Sequence, residues 1–171
     1  MGLSHQEIRY RLAHAADADG MVQVHFRAVH AIDNELYPKA TKDAWSPPPS
    51  SARINWLKEV IQSNHSICYL ATGSKNTVLG FSIFLQKEGI LQALYVDPAC
   101  SGLGIGRRLF TLTEDAARRS GSDQMTLKAS LNAVAFYRQL QFIKTGKATQ
   151  KLKDGSVMTA VAMVKQLGAT N

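Results

Sequence analysis

Residues 94–109, which read LYVDPACSGLGIGRRL, lead from the end of an apolar strand through three alternating glycines into a helical pattern. Glycine has no Cβ, so the backbone at Gly102, Gly104 and Gly106 can come close to a bulky ligand. The first N–H groups of a helix lack intrahelical acceptors, and together with the helix dipole they favour an anion. The segment predicts a phosphate-binding turn. The alternative is a tight strand-to-helix turn that binds nothing.

Three common phosphate or nucleophile motifs are absent from this turn. A Walker A loop and a dinucleotide fingerprint starting at Gly102 would both need glycine at position 107, where the chain has Arg107. The sequence also has no Gly-x-Ser-x-Gly elbow, which disfavours a hydrolase of that type. Another class of phosphate ligand is therefore expected.

The rest of the chain predicts seven strands and four helices around this turn. Asp17 is expected to cap the first helix, which runs to about Asn34, and Ser51 to open the second. The strands are predicted at 7–13, 67–72, 77–86, 90–96, 124–128, 142–150 and 157–164, and the last two helices at 104–119 and 132–139. Hairpins and at least one βαβ crossover place the chain in the α+β (mixed α/β) class.

The final strand, 157–164, is apolar on both faces. Such a pattern suits either a central strand or an edge strand buried in a dimer, so both monomer and homodimer stay open.

Composition bounds the function. The 171 residues are 45% hydrophobic, which predicts one domain over 1–171 with its core at about 7–167. No apolar run exceeds five residues, so we expect no membrane partner. Twenty Lys and Arg against 13 Asp and Glu give a net charge of +7, which favours an anionic ligand, but the charges are scattered and no nucleic acid is expected. Two cysteines without metal-ligand spacing predict no metal site and a cytoplasmic location.

Two blocks of the sequence resemble the GNAT superfamily of CoA-dependent N-acetyltransferases. The first comprises Val96-Asp97-Pro98 and 102–106, and the second is Asn132-Ala133 followed by Phe136-Tyr137 and then Phe142. Both lie in the family's order and at its usual separation. The resemblance implies a single GNAT-like domain with a central, mostly antiparallel twisted sheet of about seven strands, flanked by helices and splayed at the cofactor site. Ser101 and Gln141 depart from the family pattern, which has Arg or Gln and Gly there.

The resemblance further implies acetyl-CoA as cofactor. The pantetheine arm would pair with the strand at 94–96, where a backbone N–H would polarise the acetyl carbonyl, and the pyrophosphate would lie on 102–107. The implied cofactor-binding residues are Leu94, Tyr95, Val96, Ser101, Gly102, Leu103, Gly104, Ile105, Gly106, Arg107, Asn132, Phe136 and Tyr137.

Tyr137 matches the tyrosine that acts in the family as general acid toward the sulfur. A phenol with a pKa of about 10 keeps its proton at neutral pH and can donate it. The alternative is that Phe136 and Tyr137 are core aromatics.

The general base is not identified by the sequence, because the strand at 90–94 carries no carboxylate. Glu88, Asp33, Glu35 and His30 are candidates, as is a water chain that ends at a backbone carbonyl.

The region 30–45 resembles the acceptor side of the family. His30, Glu35, Tyr37 and Trp45 are the candidate substrate-binding residues, with Tyr37 and Trp45 as exposed loop aromatics that wall a pocket. Packing of Trp45 onto the core is the alternative. The sequence predicts transfer of an acetyl group to a primary amine of a small molecule or a protein by direct attack. A different acyl-CoA, or a non-catalytic CoA-binding sensor module, remains open.

Overall fold

The computed structural model describes residues 7–168, so the ends of the predicted domain, 1–6 and 169–171, lie outside the described residues. Within the described range, seven strands form one sheet with five α-helices around it. The strands are β1 (Arg9–Leu12), β2 (Ser66–Thr72), β3 (Val78–Leu85), β4 (Ile90–Val96), β5 (Gln124–Ala129), β6 (Ile143–Lys151) and β7 (Val157–Gln166). The helices are α1 (Ala18–His30), α2 (Lys39–Trp45), α3 (Ser51–Gln62), α4 (Ile105–Arg119) and α5 (Val134–Gln139).

The strands lie in the order β1-β2-β3-β4-β5-β7-β6. Every neighbouring pair is antiparallel except β4 and β5, which α4 connects as a parallel crossover. The predicted α+β class, the mostly antiparallel seven-stranded sheet and the βαβ unit are confirmed. Because β7 lies between β5 and β6, its two apolar faces belong to a central strand, and β6 is the edge.

The parallel strands β4 and β5 separate almost as soon as they pair. Ile90 and Thr126 are their one paired position. A bulge follows at once, because Leu91 and Ala93 pair with consecutive residues of β3 and Gln92 has no partner there. A bulge bends its strand and increases the local twist. The predicted splay at the strands before the glycine turn is therefore present, and the rest of β4 faces a gap.

The helices cover different faces of the sheet. On one face, Met21 of α1 and Leu57 of α3 pack in a cluster with Phe81 and Ile83 of β3. On the other face, Ile105 and Leu109 of α4 pack in a second cluster. Alternation along β4 places Tyr95 with the α1–α3 cluster, and Leu94 and Val96 with the α4 cluster.

Two predictions about the first helix are wrong. The first helix ends at His30, four residues before Asn34. Asp17 precedes α1 without capping it, because its carboxylate accepts hydrogen bonds from the Arg11 guanidinium at 2.8 Å and from the His14 backbone N–H at 2.7 Å. The ion pair and this hydrogen bond lower the pKa of Asp17.

The prediction that Ser51 opens the second helix is confirmed, because α3 begins at Ser51. The hydroxyl of the preceding residue, Ser50, caps this helix by accepting a hydrogen bond from the Arg53 backbone N–H. The seven-residue helix α2 was not among the predicted elements.

Candidate functional site

A cavity of about 520 Å³ lies at the gap between β4 and β5. Residues from both faces of the sheet line it, since Tyr95 and Phe81 belong to the α1–α3 side and Leu94 and Val96 to the α4 side. The cavity therefore passes through the sheet. One ligand can enter from each face and meet the other in the gap.

The glycine turn lies just beyond this cavity, whose lining ends at Pro98 on that side. Gly102 and Gly104 have φ angles of +80° and +77°, and a Cβ on either would meet nothing within 4 Å. Gly104 is the N-cap of α4 and makes no side-chain cap. The N–H groups of the first helical turn thus have neither an intrahelical acceptor nor a capping side chain, as a phosphate site requires.

The other residues of the turn divide between core and surface. Ile105 is buried and anchors α4 to the sheet, whereas Ser101, Leu103 and Arg107 are exposed. A Cβ on Gly106 would lie 3.3 Å from Phe136 Cζ, so the third glycine lets α5 pack closely on α4. Phe136 contacts this helix turn and is not among the lining residues of the cavity.

Tyr137 and Asn132 reach the cavity from the α5 side. Asn132 is exposed in the turn before α5, and both residues line the cavity. The Tyr137 ring is held between Phe136 and Phe142, with centroids 5.2 and 5.5 Å away. Burial, and secondarily the phenol of Tyr95, raise the pKa of Tyr137. The hydroxyl is therefore a proton donor at neutral pH.

Tyr95 projects from β4 toward α1. Its ring lies edge-on to His25, with centroids 4.5 Å apart, and tilted against Phe81 at 5.7 Å. Burial raises the pKa of Tyr95, and the neighbouring Trp45 indole, whose ring centroid is 6.4 Å away, acts in the opposite direction. Trp45 lines the cavity, as predicted, but it is the last residue of α2 and is partly buried. The prediction that it is an exposed loop residue is therefore wrong.

Tyr37 is also not exposed. Only 2% of it is accessible, its hydroxyl donates to the Thr159 carbonyl at 2.6 Å, and the same oxygen accepts from the Leu131 N–H at 2.9 Å. Its ring packs on Trp45 at 5.6 Å. Tyr37 thus ties β7 and the turn before Asn132 to the helical side, and it does not line the cavity.

The candidate bases do not line the cavity either. His30 Nε2 donates to the Ser46 carbonyl at 2.8 Å. Glu35 and Asp33 are exposed in the turn after α1, where Asp33 accepts the Glu35 N–H at 2.8 Å. Glu88 is exposed in the β3–β4 turn. Within residues 7–168 no Asp or Glu lines the cavity.

His25 lines the cavity from α1 and was missed from the sequence. Its Nδ1 lies 2.7 Å from Ser46 Oγ and 3.1 Å from Arg53 Nη2. Because a guanidinium can only donate, Nδ1 is an acceptor, and a neutral ring carries its proton on Nε2. Burial first, then the charge of Arg53, lower the pKa of His25 to about 3. The ring is neutral and supplies an N–H donor.

A sequence signal for His25 existed. The buried positions of α1 are Ala18, Met21, Val22, Val24 and Val29, and His25 follows Ala18 by seven residues, on the same helical stripe. Helical periodicity alone therefore places this histidine on the buried side of α1, next to the predicted substrate region, and would have made it a candidate site residue.

Among residues 7–168, all of the charged side chains that line the cavity are basic. They are Arg53, Lys128, Lys151 and Lys153. Lys128 Nζ donates to the Thr149 carbonyl at 3.0 Å. Arg53 takes part in no ion pair in the described part of the chain. The cavity is thus suited to ligands that carry negative charge.

Residues 7–168 contain no group of three or more His, Cys, Asp or Glu side chains placed to hold a metal. No helix between the same bounds is long and apolar enough to cross a membrane. Cys68 and Cys100 are both free thiols.

Comparison with known families gives one match that spans most of the chain. Residues 42–167, which are 126 of the 171, match the model described as "Acetyltransferase (GNAT) domain". None of the curated proteins compared with the sequence matches it.

Several solved structures are similar over nearly the whole chain. A GCN5-related N-acetyltransferase from Rhodopseudomonas palustris has a TM-score of 0.77 at 22% identity, covering 97% of this chain and 98% of its own. A GNAT superfamily phosphinothricin acetyltransferase from Sinorhizobium meliloti, in complex with acetyl-CoA, has a TM-score of 0.71 at 23% identity, covering 94% and 89%. The PaiA N-acetyltransferase from Thermoplasma acidophilum, in complex with coenzyme A, has a TM-score of 0.70 at 19% identity, covering 94% and 99%. At these identities the likeness is one of fold.

Proposed function

Because the chain belongs to the GNAT acetyltransferase family, we propose that it transfers the acetyl group of acetyl-CoA to a primary amine by direct attack. The family match confirms the resemblance predicted from residues 94–109 and 132–142. The observation that carries the proposal is the through-sheet cavity, which begins beside an uncapped, glycine-rich helix start. A cofactor on the α4 face and an acceptor on the α1 face would meet in the gap.

The residues present fit acetyl-CoA. The first turn of α4 offers uncapped N–H groups, open space at Gly102 and Gly104, and the exposed cation of Arg107. The part of β4 beyond Ile90 has no partner in β5 and can pair with an extended amide chain, as an added strand would. Asn132, in the turn opposite, lines the same path. When bound, the cofactor supplies the acetyl group as an activated thioester.

Ser101 stands where the family has Arg or Gln, so one side-chain contact to the cofactor is missing there. Arg107 and the neighbouring Arg108 supply positive charge in the following turn of helix. We propose that backbone donors carry most of the phosphate binding, with these arginines adding charge.

Tyr137 is the proposed general acid. Its raised pKa keeps the phenol protonated, and Phe136 and Phe142 fix the ring in position. The hydroxyl would donate its proton to the departing sulfur. The backbone N–H groups at Tyr95 and Val96 are the proposed donors to the acetyl carbonyl, since this part of β4 is open toward β5.

The acceptor amine must lose a proton before it attacks. No carboxylate lines the cavity within residues 7–168, and His25 offers a donor rather than a base. The basic side chains around the cavity disfavour an ammonium ion and so favour the neutral amine. We therefore propose that the proton leaves to water, and that the pH dependence of kcat/KM follows the pKa of the acceptor amine.

The first experiment is calorimetric titration with acetyl-CoA at two salt concentrations, followed by a screen of amines for release of free CoA. We expect one cofactor per chain, with a Kd in the micromolar range that weakens with salt. Binding without acetylation of any amine would favour the CoA-binding sensor module. Absence of binding at both salt concentrations would refute the proposal.

A further inference from the structure

The α1–α3 side of the cavity contains a partly buried cation without a counter-charge. Arg53 Nη1 donates to the Pro47 carbonyl, and Nη2 donates to Ser46 Oγ at 3.2 Å and to His25 Nδ1 at 3.1 Å. All three acceptors are neutral. Burial alone accounts for the lowered pKa of the Arg53 guanidinium, with no acidic group opposing it. A partly buried charge is costly unless it is paired.

Two further donors line the same cavity as Arg53. Lys153 lies in the β6–β7 turn, and its charge contributes to the lowered pKa of His25. The Nζ atom of Lys153 lies 5.7 Å from the Trp56 ring centroid. His25 contributes the N–H of Nε2, because its hydrogen bonds to Ser46 and Arg53 both use Nδ1. We call Arg53, Lys153 and His25 the Arg53 cluster. All three members line the cavity, and the cluster has no anionic acceptor of its own.

The Arg53 cluster is separate from the predicted phosphate turn. His25 and Arg53 belong to α1 and α3, which pack on the Phe81 face of the sheet. The glycine turn opens α4, which packs on the opposite face. Phosphates bound at the start of α4 would therefore not neutralise Arg53, and the cluster needs an anion from the acceptor's side.

We propose, on the premise of the function proposed above, that the acceptor is a small amine that also carries a carboxylate or similar oxyanion, bound by Arg53 and Lys153. A guanidinium fork and an ammonium are the groups that bind such an anion best. The oxyanion lies at the Arg53 cluster, and the amine extends toward Tyr95 and the gap. A shared cavity of about 520 Å³ is of a size for small molecules.

The test uses CoA-loaded protein and matched pairs of probes. One series pairs ω-amino acids, from glycine to 6-aminohexanoate, with n-alkylamines of the same chain length. The other pairs L-α-amino acids with their amino alcohols. Calorimetry measures binding of each probe, and thiol release from acetyl-CoA measures turnover. We expect the preferred acid to bind about tenfold or more tightly than its neutral counterpart, which corresponds to about 1.4 kcal/mol.

Variants locate the effect. Lys153→Gln removes an exposed charge that forms no ion pair among the described residues, and it should reduce the acid preference about fivefold. Arg53→Gln should reduce it further, and its fold is checked by circular dichroism. Lys144→Gln is the matched control, because it removes an exposed lysine from β6 that does not line the cavity. Acetyl-CoA affinity should change in none of the three.

Every outcome of these experiments either supports or overturns the inference. No acid preference in either series, or a preference that both Lys153→Gln and Arg53→Gln leave intact, would overturn the inference. If acetyl-CoA binds and simple alkylamines are acetylated as well as acids, the proposed function survives and this inference fails. If acetyl-CoA does not bind at all, the proposed function fails first, and acid binding at the cluster is then judged from calorimetry alone.

Discussion

Replacing His25 with glutamine should flatten the acid side of the stability profile. In the folded protein, burial and Arg53 lower the pKa of this ring to about 3, against about 6.5 in an unfolded chain. Below about pH 6.5 the unfolded chain binds a proton that the folded chain does not bind. The free energy of unfolding therefore decreases as the pH is lowered, until the pH reaches the pKa of His25 in the folded protein. A glutamine side chain at this position would not titrate in this window.

The magnitude follows from the two pKa values. Between about pH 7.5 and about pH 5, the unfolded histidine takes up nearly a full proton while the folded one stays neutral. Each pH unit below the unfolded pKa costs about 1.4 kcal/mol, so the wild type should lose about 2 kcal/mol over this interval through His25. The carboxylates, including Asp17 with its lowered pKa, lose their contributions in both proteins and cancel in the comparison.

The assay is urea unfolding followed by linear extrapolation, run on wild type and His25→Gln at both pH values. The difference in unfolding free energy between the two proteins should shift by about 2 kcal/mol in favour of the variant on acidification. Nitrogen-15 NMR of the ring would report a neutral, Nε2-protonated tautomer at about pH 5. Parallel stability profiles, or a ring that titrates near pH 6.5, would show that Arg53 and burial do not hold His25 neutral.

Three further results are expected. Tyr137→Phe should lower kcat about 100-fold while acetyl-CoA affinity stays within about threefold, because it removes a proton donor and keeps the packed ring; equal losses in both would contradict the general-acid role. Gly104→Ala should weaken acetyl-CoA binding about tenfold, whereas Gly121→Ala, with a φ of +88° and the same open surroundings, should lower only stability; calorimetry and thermal melting separate the two. Tyr37→Phe should destabilise the fold by about 1–3 kcal/mol in urea, since the Thr159 carbonyl and the Leu131 N–H each lose a hydrogen bond to the buried tyrosine; an unchanged stability would mean that water replaces the hydroxyl.

The sequence predicted best those elements whose limits are set locally. The bounds of β4 at 90–96 match because a run of apolar residues stops at Asp97-Pro98. The start of α4 is predicted by Gly104, because glycine adopts a positive φ without help from tertiary contacts. The residue preferences of turns and the backbone restrictions of proline act over a few residues, so they can be predicted from the sequence without knowledge of the fold.

Elements that depend on distant partners could not be predicted in the same way. Tyr37 precedes Pro38 in a polar stretch and reads as a loop residue. Its burial is produced by Thr159 and Leu131, which are 122 and 94 residues away in sequence. The short helix α2 has too few residues for a periodic pattern, and its position is fixed by contacts such as that of Lys42 Nζ with the Ile32 carbonyl at 2.6 Å.

The acceptor side shows how one local irregularity creates a functional arrangement that residue types alone do not reveal. The bulge at Gln92 turns β4 away from β5, and the gap exposes both faces of the strand to one cavity. The alternation of side chains along β4 then determines which residue faces each side of the cavity. Tyr95 points to the Arg53 cluster, while Leu94 and Val96 point to the α4 side. A shift of β4 by one residue would exchange these faces and separate Tyr95 from His25. Variants that repair the bulge, such as deletion of Gln92, should therefore close the gap and abolish acetylation, even though every residue assigned a chemical role is retained. Full activity in a correctly folded deletion variant would show that the splay is not required.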